Sequence, residues 1–168
     1  MTSGVVTDLE QRVRALVTGF RDQRGPLLPI LHALVEEYGH VDPRVIPVLA
    51  DELNLSEAEV HGTISFYRDF RTTPPGRTTV KICRAEACQA VGANDLVTRA
   101  ELVLGVGLGD TTDDGAVTLD EVMCLGNCAL GPSVQVGRTT HGRFDVGRLT
   151  SLLREARTPE TQTPEAQT

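Results

Sequence analysis

The segment TTVKICRAEACQAVG, residues 78–92, changes its periodicity halfway along. TTVKIC sets Val80 and Ile82 on one side and Lys81 on the other, a period of two that predicts a short strand ending at Cys83. ACQAVGANDLVTRAELVLG, residues 87–105, then follows helical spacing, with Cys88 in its first turn. Four residues separate the two cysteines. The only other cysteines, Cys124 and Cys128, stand in CLGNC after a spacer of 35 residues. The chain therefore carries C-x4-C and then C-x3-C, with each pair expected where a strand gives way to a loop.

Downstream, AVTLDEVMC (116–124) reads as a second strand ending at Cys124. SVQVGRTTHGRF predicts two short strands turning near Gly137-Arg138, and DVGRLTSLLREA predicts a closing helix with Val146, Leu149, Leu152 and Leu153 on one side. Strand, helix, strand requires a right-handed crossover. With the hairpin and last helix added, this is the outline of a thioredoxin-like domain. Pro132 occupies the place where such folds hold a cis-proline, with a trans turn as the alternative.

Upstream, RTTPPGRTT (71–79) breaks the pattern. Before it, four amphipathic helices are expected. The first has Thr7 and Glu10 in capping-box spacing, with Leu9, Val13, Leu16, Val17 and Phe20 on one face. The second places Leu27, Ile30, Leu31, Leu34, Val35 and Tyr38 together and ends at Gly39. The third starts at Asp42-Pro43 and is reset by Pro47. The fourth opens with a Ser56–Glu59 box and turns Val60, Ile64 and Tyr67 inward. The expected fold class is α/β: a helical lobe over 1–75, a thioredoxin-like domain over 76–157, and a disordered tail over 158–168 whose composition lacks large apolar groups.

Hydrophobic residues make up 40% of the 168 and charged residues 23%, ordinary for a globular protein. A net charge of -7 argues against nucleic-acid binding, which needs cations to neutralise phosphates. No apolar run approaches the roughly 18 residues of a membrane span, so no membrane insertion is expected. The N-terminal stretch lacks the features of a signal peptide, so a cytoplasmic location is expected. Cysteines in a reducing compartment point to metal binding or redox chemistry rather than structural disulfides.

A [2Fe–2S] cluster takes four thiolates, two on each iron, and carries net negative charge that grows on reduction. Backbone N–H groups and nearby cations must offset that charge. Gly92, Gly126 and Gly131 allow close backbone approach, and Arg84 adjoins Cys83. Structural zinc is the main alternative, although its knuckles favour C-x2-C. A thioredoxin-type dithiol would need C-x-x-C, which is absent, and free or disulfide-bonded cysteines complete the options. A Rieske centre would require histidines beside a cysteine pair. His32 and His61 read as helix residues, and His40 and His141 as loop or turn residues. GVGLGD (105–110) reads as a helix-to-strand loop rather than a dinucleotide turn, TTDDG (111–115) as a turn rather than a calcium loop, and Glu36-Glu37 as a solvated face. No nucleophile–base arrangement is evident, so no catalytic residue is assigned.

YGHVDPRVIPVLADELNLSEAEVHGTISFYRDF, VKICRAEACQAVGA and VTLDEVMCLGNCALGPSVQV resemble the thioredoxin-like [2Fe–2S] subunit shared by respiratory complex I, NAD-reducing hydrogenases and soluble NAD-dependent formate dehydrogenases. The resemblance spans about residues 10–155. It implies that Cys83, Cys88, Cys124 and Cys128 hold the cluster, and all four positions match. It also implies a larger flavoprotein partner that holds FMN and binds NAD(H), with the cluster accepting one electron from the reduced flavin. CRAEACQA is most similar to the gamma subunit of the formate dehydrogenases, which implies a formate dehydrogenase assembly, with complex I (NADH:quinone oxidoreductase) or a hydrogenase as the alternative. A zinc-stapled interaction module is the reading from another class.

Overall fold

The structure, a computed structural model, describes residues 3–21 and 23–158, and the expected tail over 158–168 lies outside them except for Thr158. The chain divides into two compact units, Met1–Pro74 and Pro75–Thr168.

The first unit is helical: α1 (Ser3–Phe20), α2 (Leu27–Tyr38), a 3-10 turn (Pro43–Val45), α3 (Ile46–Leu53) and α4 (Glu57–Phe66). Val13 and Val17 of α1, Ile30, Leu31 and Leu34 of α2, Leu49 of α3 and Val60 and Ile64 of α4 form its core. These residues lie on the predicted faces, while Tyr38 at the end of α2 is 38% exposed. Asp42 caps the 3-10 turn by accepting from Arg44 N–H, and Pro47 falls in the first turn of α3. Both halves of the Ser56–Glu59 capping box form, and Gly39 closes α2 at φ 77°.

Two expectations for this unit fail. Helix α1 starts at Ser3, so Thr7 lies inside it and is not its cap; no proline upstream stops the helix from propagating. Helix α4 ends at Phe66, and Tyr67 turns extended and 42% exposed instead of pointing inward. The chain folds back there, with Phe70 N–H donating to Tyr67 O. Phe70, 3% exposed, fills the core in its place, edge-on to the rings of His32 and Tyr67.

The second unit contains β1 (Thr78–Cys83), α5 (Glu86–Gln89), α6 (Ala93–Leu104), β2 (Val117–Val122), β3 (Val134–Val136), β4 (Thr139–His141) and α7 (Val146–Arg157). The sheet order is β2-β1-β3-β4. Strand β1 runs parallel to β2 and antiparallel to β3, and β3 pairs antiparallel with β4. Helices α6 and α7 pack on each other and on β2, and Arg99 Nε donates to Thr150 Oγ1 between the two helices. Val80, Ile82, Leu96, Ala100, Leu119, Val134, Leu149 and Leu153 make the core. This is the expected mixed helix-and-sheet, thioredoxin-like architecture, and Gly131–Pro132 is the cis bond.

Here the departures are local. The helix expected over 87–105 is two helices, because Gly92 takes φ 100° between them. Strand β2 stops at Val122, short of Cys124. Its register ends with Cys83 opposite Val122, so Met123 and Cys124 have no partner strand to bond. His141 ends β4 and is not in a turn. GVGLGD is the α6–β2 loop, capped by Gly105 at φ 73°, and TTDDG is a turn in which Asp114 accepts from Thr112 Oγ1 and Ala116 N–H.

Gly76 enters this unit against the backbone of β2. A Cβ there would lie 2.9 Å from Val117 C, and Gly76 N–H already donates to Thr118 Oγ1 at 2.7 Å. Gly76→Ala is expected to lower stability by about 1–3 kcal/mol in urea unfolding. Asp114 supplies a pH prediction. The Thr112 hydroxyl, then Ala116 N–H and Arg157, hold its carboxyl down at about 2. A carboxyl depressed on folding adds stability above its unfolded pKa and loses it as pH falls towards the folded one. Asp114→Asn is therefore expected to lower the Tm at pH 7 and to narrow the gap from the parent as pH drops from about 4 to about 2.

Candidate metal centre

The two cysteine pairs sit at one end of the sheet, in the loops after β1 and β2. Cys83 is the last residue of β1, and its N–H donates to Ser133 O at 3.0 Å. The next N–H, of Arg84, donates to Val122 O at 2.8 Å. One strand end is thus bonded on both sides, to the residue before β3 and to the end of β2. The chain then turns into α5, where Cys88 N–H donates to Ala85 O. Gln89 Nε2 braces that turn by donating to Arg84 O at 2.7 Å. Cys83 and Cys88 are each 1% exposed and pack with Ala93, Ala85, Val122 and Leu125.

Cys124 and Cys128 belong to the loop after β2, and both are exposed. Their sulfurs lie 3.9 Å apart across a turn in which Gly126 takes φ 74°. All four cysteines are free thiols. The pairs lie near enough for a charge on Cys83 to raise Cys128 and one on Cys128 to raise Cys88.

Backbone N–H groups converge on the sulfurs. Gly126 N–H donates to Cys124 Sγ at 3.3 Å. Those of Ala85 and Leu125 lie near enough to Cys83, and that of Ser133 near enough to Cys88, to favour the thiolates. Burial pushes the Cys83 thiol up, but the two amides and the Cys88 thiol outweigh it and hold Cys83 below the ordinary thiol value. Burial, and then the hydrogen bond with Cys83, push Cys88 up. Cys128 is raised by its hydrogen bond to Cys124 and by that residue's charge. Each sulfur pair is thus an interacting unit, with dipoles fixed around it that favour negative charge.

Four thiols in two pairs suit a two-iron group, which takes two thiolates on each iron. A single zinc would gather all four about one point, and among the described residues no group of three or more His, Cys, Asp or Glu stands ready to hold a metal ion. Arg84 adds a cation beside Cys83. It bonds Glu121 at 3.0 Å, and its Nε is buried without a hydrogen-bond partner. A cluster with net negative charge fits such surroundings. The amides of Ala85, Leu125 and Ser133 and the Glu121 partner carry no sequence signal, since they depend on which loops meet. Arg84, Gly126 and Gly131 were legible by residue type, and a Cβ on Gly131 would lie 3.5 Å from Cys88 Sγ.

The family described as thioredoxin-like [2Fe–2S] ferredoxin matches residues 13–157. One of the NADH-quinone oxidoreductase subunits of Rhizobium meliloti is 35% identical over 152 residues, covering 90% of this chain and 90% of the relative. The HndA subunit of the NADP-reducing hydrogenase of Solidesulfovibrio fructosivorans is 31% identical over 147 residues, covering 88% and 86%. An NAD+-reducing [NiFe]-hydrogenase structure in its H2-reduced state superposes with a TM-score of 0.65 at 24% identity, over 82% of this chain and 23% of that one. That likeness is one of fold, and the chain spans about a quarter of the hydrogenase chain.

Burial predicts an order of thiol reactivity in the metal-free chain. Cys124 and Cys128 are expected to alkylate at least about tenfold faster than Cys83 and Cys88, followed by mass spectrometry of the labelled peptides. Equal rates at all four would contradict the arrangement described.

Proposed function

The chain belongs to the thioredoxin-like [2Fe–2S] ferredoxin family, and on that premise we propose that it is a one-electron carrier subunit of an NAD-linked oxidoreductase. In this reading Cys83 and Cys88 hold one iron and Cys124 and Cys128 the other. The observation that carries it is the placement of two thiol pairs at one end of the sheet, each with backbone N–H groups near its sulfurs. When bound, a [2Fe–2S] cluster supplies storage for a single electron. The protein's part is to hold the thiolates, direct the amides of Ala85, Leu125, Gly126 and Ser133 at them, and keep one pair dry while the other stays at the surface. Those dipoles are oriented before any charge arrives, so little reorganisation accompanies its arrival. The exposed Cys124–Cys128 side is the side open to a partner.

The partner in this proposal is a flavoprotein subunit that holds FMN and binds NAD(H). The second unit carries the redox site and the helical unit adds docking surface. CRAEACQA supports a soluble formate dehydrogenase as the assembly. The relatives named for NADH-quinone oxidoreductase and for a hydrogenase support a second reading, the equivalent subunit of one of those complexes. Among the described residues no helix is long and apolar enough to cross a membrane. With four free thiols, a reducing cytoplasm is the compartment proposed.

The full chain, purified without air, is expected to be red-brown and to contain iron and sulfide in equal amounts. A colourless protein holding zinc alone would reject the carrier reading. Cys83→Ser is expected to lose most of the visible absorbance and to loosen the second unit, because a ligand lost from a metal site is lost folding energy. Pull-down from native extract separates the assemblies: a flavoprotein with a formate dehydrogenase catalytic subunit supports the first, and membrane subunits of a quinone reductase support the second.

A further inference from the structure

Ser133 is the residue at which the two cysteine pairs meet. It is 1% exposed, and with Thr112 and Thr118 it makes up the buried polar residues among those described. Its carbonyl accepts from Cys83 N–H at 3.0 Å, and its own N–H lies near enough to Cys88 to favour the thiolate. Its side chain points the other way, to the second pair. Asn127 Nδ2 donates to Ser133 Oγ at 3.2 Å, and the Ser133 hydroxyl donates to Asn127 O at 3.4 Å. Asn127 lies between Cys124 and Cys128. One residue thus bonds Cys83 by its main chain and, by its side chain, Asn127 in the loop that carries the exposed pair.

The opposite side of Asn127 is also closed. A Cβ on Gly142 would lie 2.8 Å from Asn127 Nδ2 and 2.6 Å from Leu130 Cβ. Arg143, at φ 50°, donates its N–H to Leu130 O. Most other bonds of the 124–131 loop are internal: Gly126 N–H to Cys124, Leu130 N–H to Asn127 O and Gly131 N–H to Cys128 O. Leu125 packs against the buried half of the site, and the Ser133–Asn127 pair ties the loop to it by hydrogen bonds.

We propose that the Ser133–Asn127 hydrogen-bond pair is a positioning clamp that sets the separation of the Cys124–Cys128 pair from the Cys83–Cys88 pair, and so governs how firmly a two-iron group is retained. This rests on the [2Fe–2S] reading of the site. Ser133 acts through Asn127 and through its own main chain. Ser133→Ala removes only the side-chain half, because the main-chain bond to Cys83 N–H remains.

The test uses the full chain. In cluster-loaded protein, Ser133→Ala is expected to release iron to a chelator about tenfold faster, the worth of one buried hydrogen-bond pair, and to change the EPR line shape of the reduced protein. Asn127→Ala is expected to do the same, and the double variant to be no faster than either single one. In metal-free protein, amide exchange over 124–131 is expected to rise in Ser133→Ala while that of β1 and β2 stays unchanged. Unchanged iron release together with unchanged exchange, or additive single variants, would overturn the clamp. A parent chain that holds no iron would instead sink the [2Fe–2S] reading, and the exchange experiment would still decide whether the clamp exists.

Discussion

The hydrogen bond from Cys83 N–H to Ser133 O is the contact on which the site depends. It holds the end of β1 against the residue that leads into β3, while Arg84 N–H holds the same strand end against β2. A strand in the middle of a sheet must satisfy its backbone groups on both sides, and β1 does so up to its last residue. The loops that leave β1 and β2 and the loop that enters β3 therefore emerge at one end. The loops that carry the four cysteines, distant in sequence, are brought to one end of the sheet by backbone pairing.

That gathering has an electrostatic cost. Thiols buried as deeply as Cys83 and Cys88 resist ionisation, since a dry interior disfavours charge. The amides of Ala85, Leu125 and Ser133 offset the cost by pointing partial positive charge at the sulfurs. They are free to do so because the turns around them leave these N–H groups outside the sheet ladder and the helix bonds. Gly126 at φ 74° and Gly92 at φ 100° let those turns form. The result is a dry half and a wet half, and only the wet half is within reach of another protein.

Much of the architecture was legible because it rests on local rules. Val80 and Ile82, Leu96 and Ala100, and Leu149 and Leu153 recur at strand or helix spacing, and these are the residues buried. The Ser56–Glu59 box, the Gly39 cap and the hairpin turn at Gly137 follow from residue types within a few positions. Two of the failures have a tertiary cause. Tyr67 and Phe70 both fit an inward face, and only the fold-back at the end of α4 admits Phe70 and leaves Tyr67 out. Strand β2 ends where its partner ends, not where its own β propensity does.

The sequence by itself determined the elements, the faces they bury and the spacing C-x4-C with C-x3-C, because periodicity, capping and turn chemistry act over a few residues. Only the tertiary structure decided which pair is buried, that Ser133 joins the pair at 83 and 88 to the loop at 124–128, and that Glu121 holds Arg84. Those choices depend on which strand ends are bonded side by side. No local pattern carries that information, because the residues concerned meet only after the sheet has closed around β1.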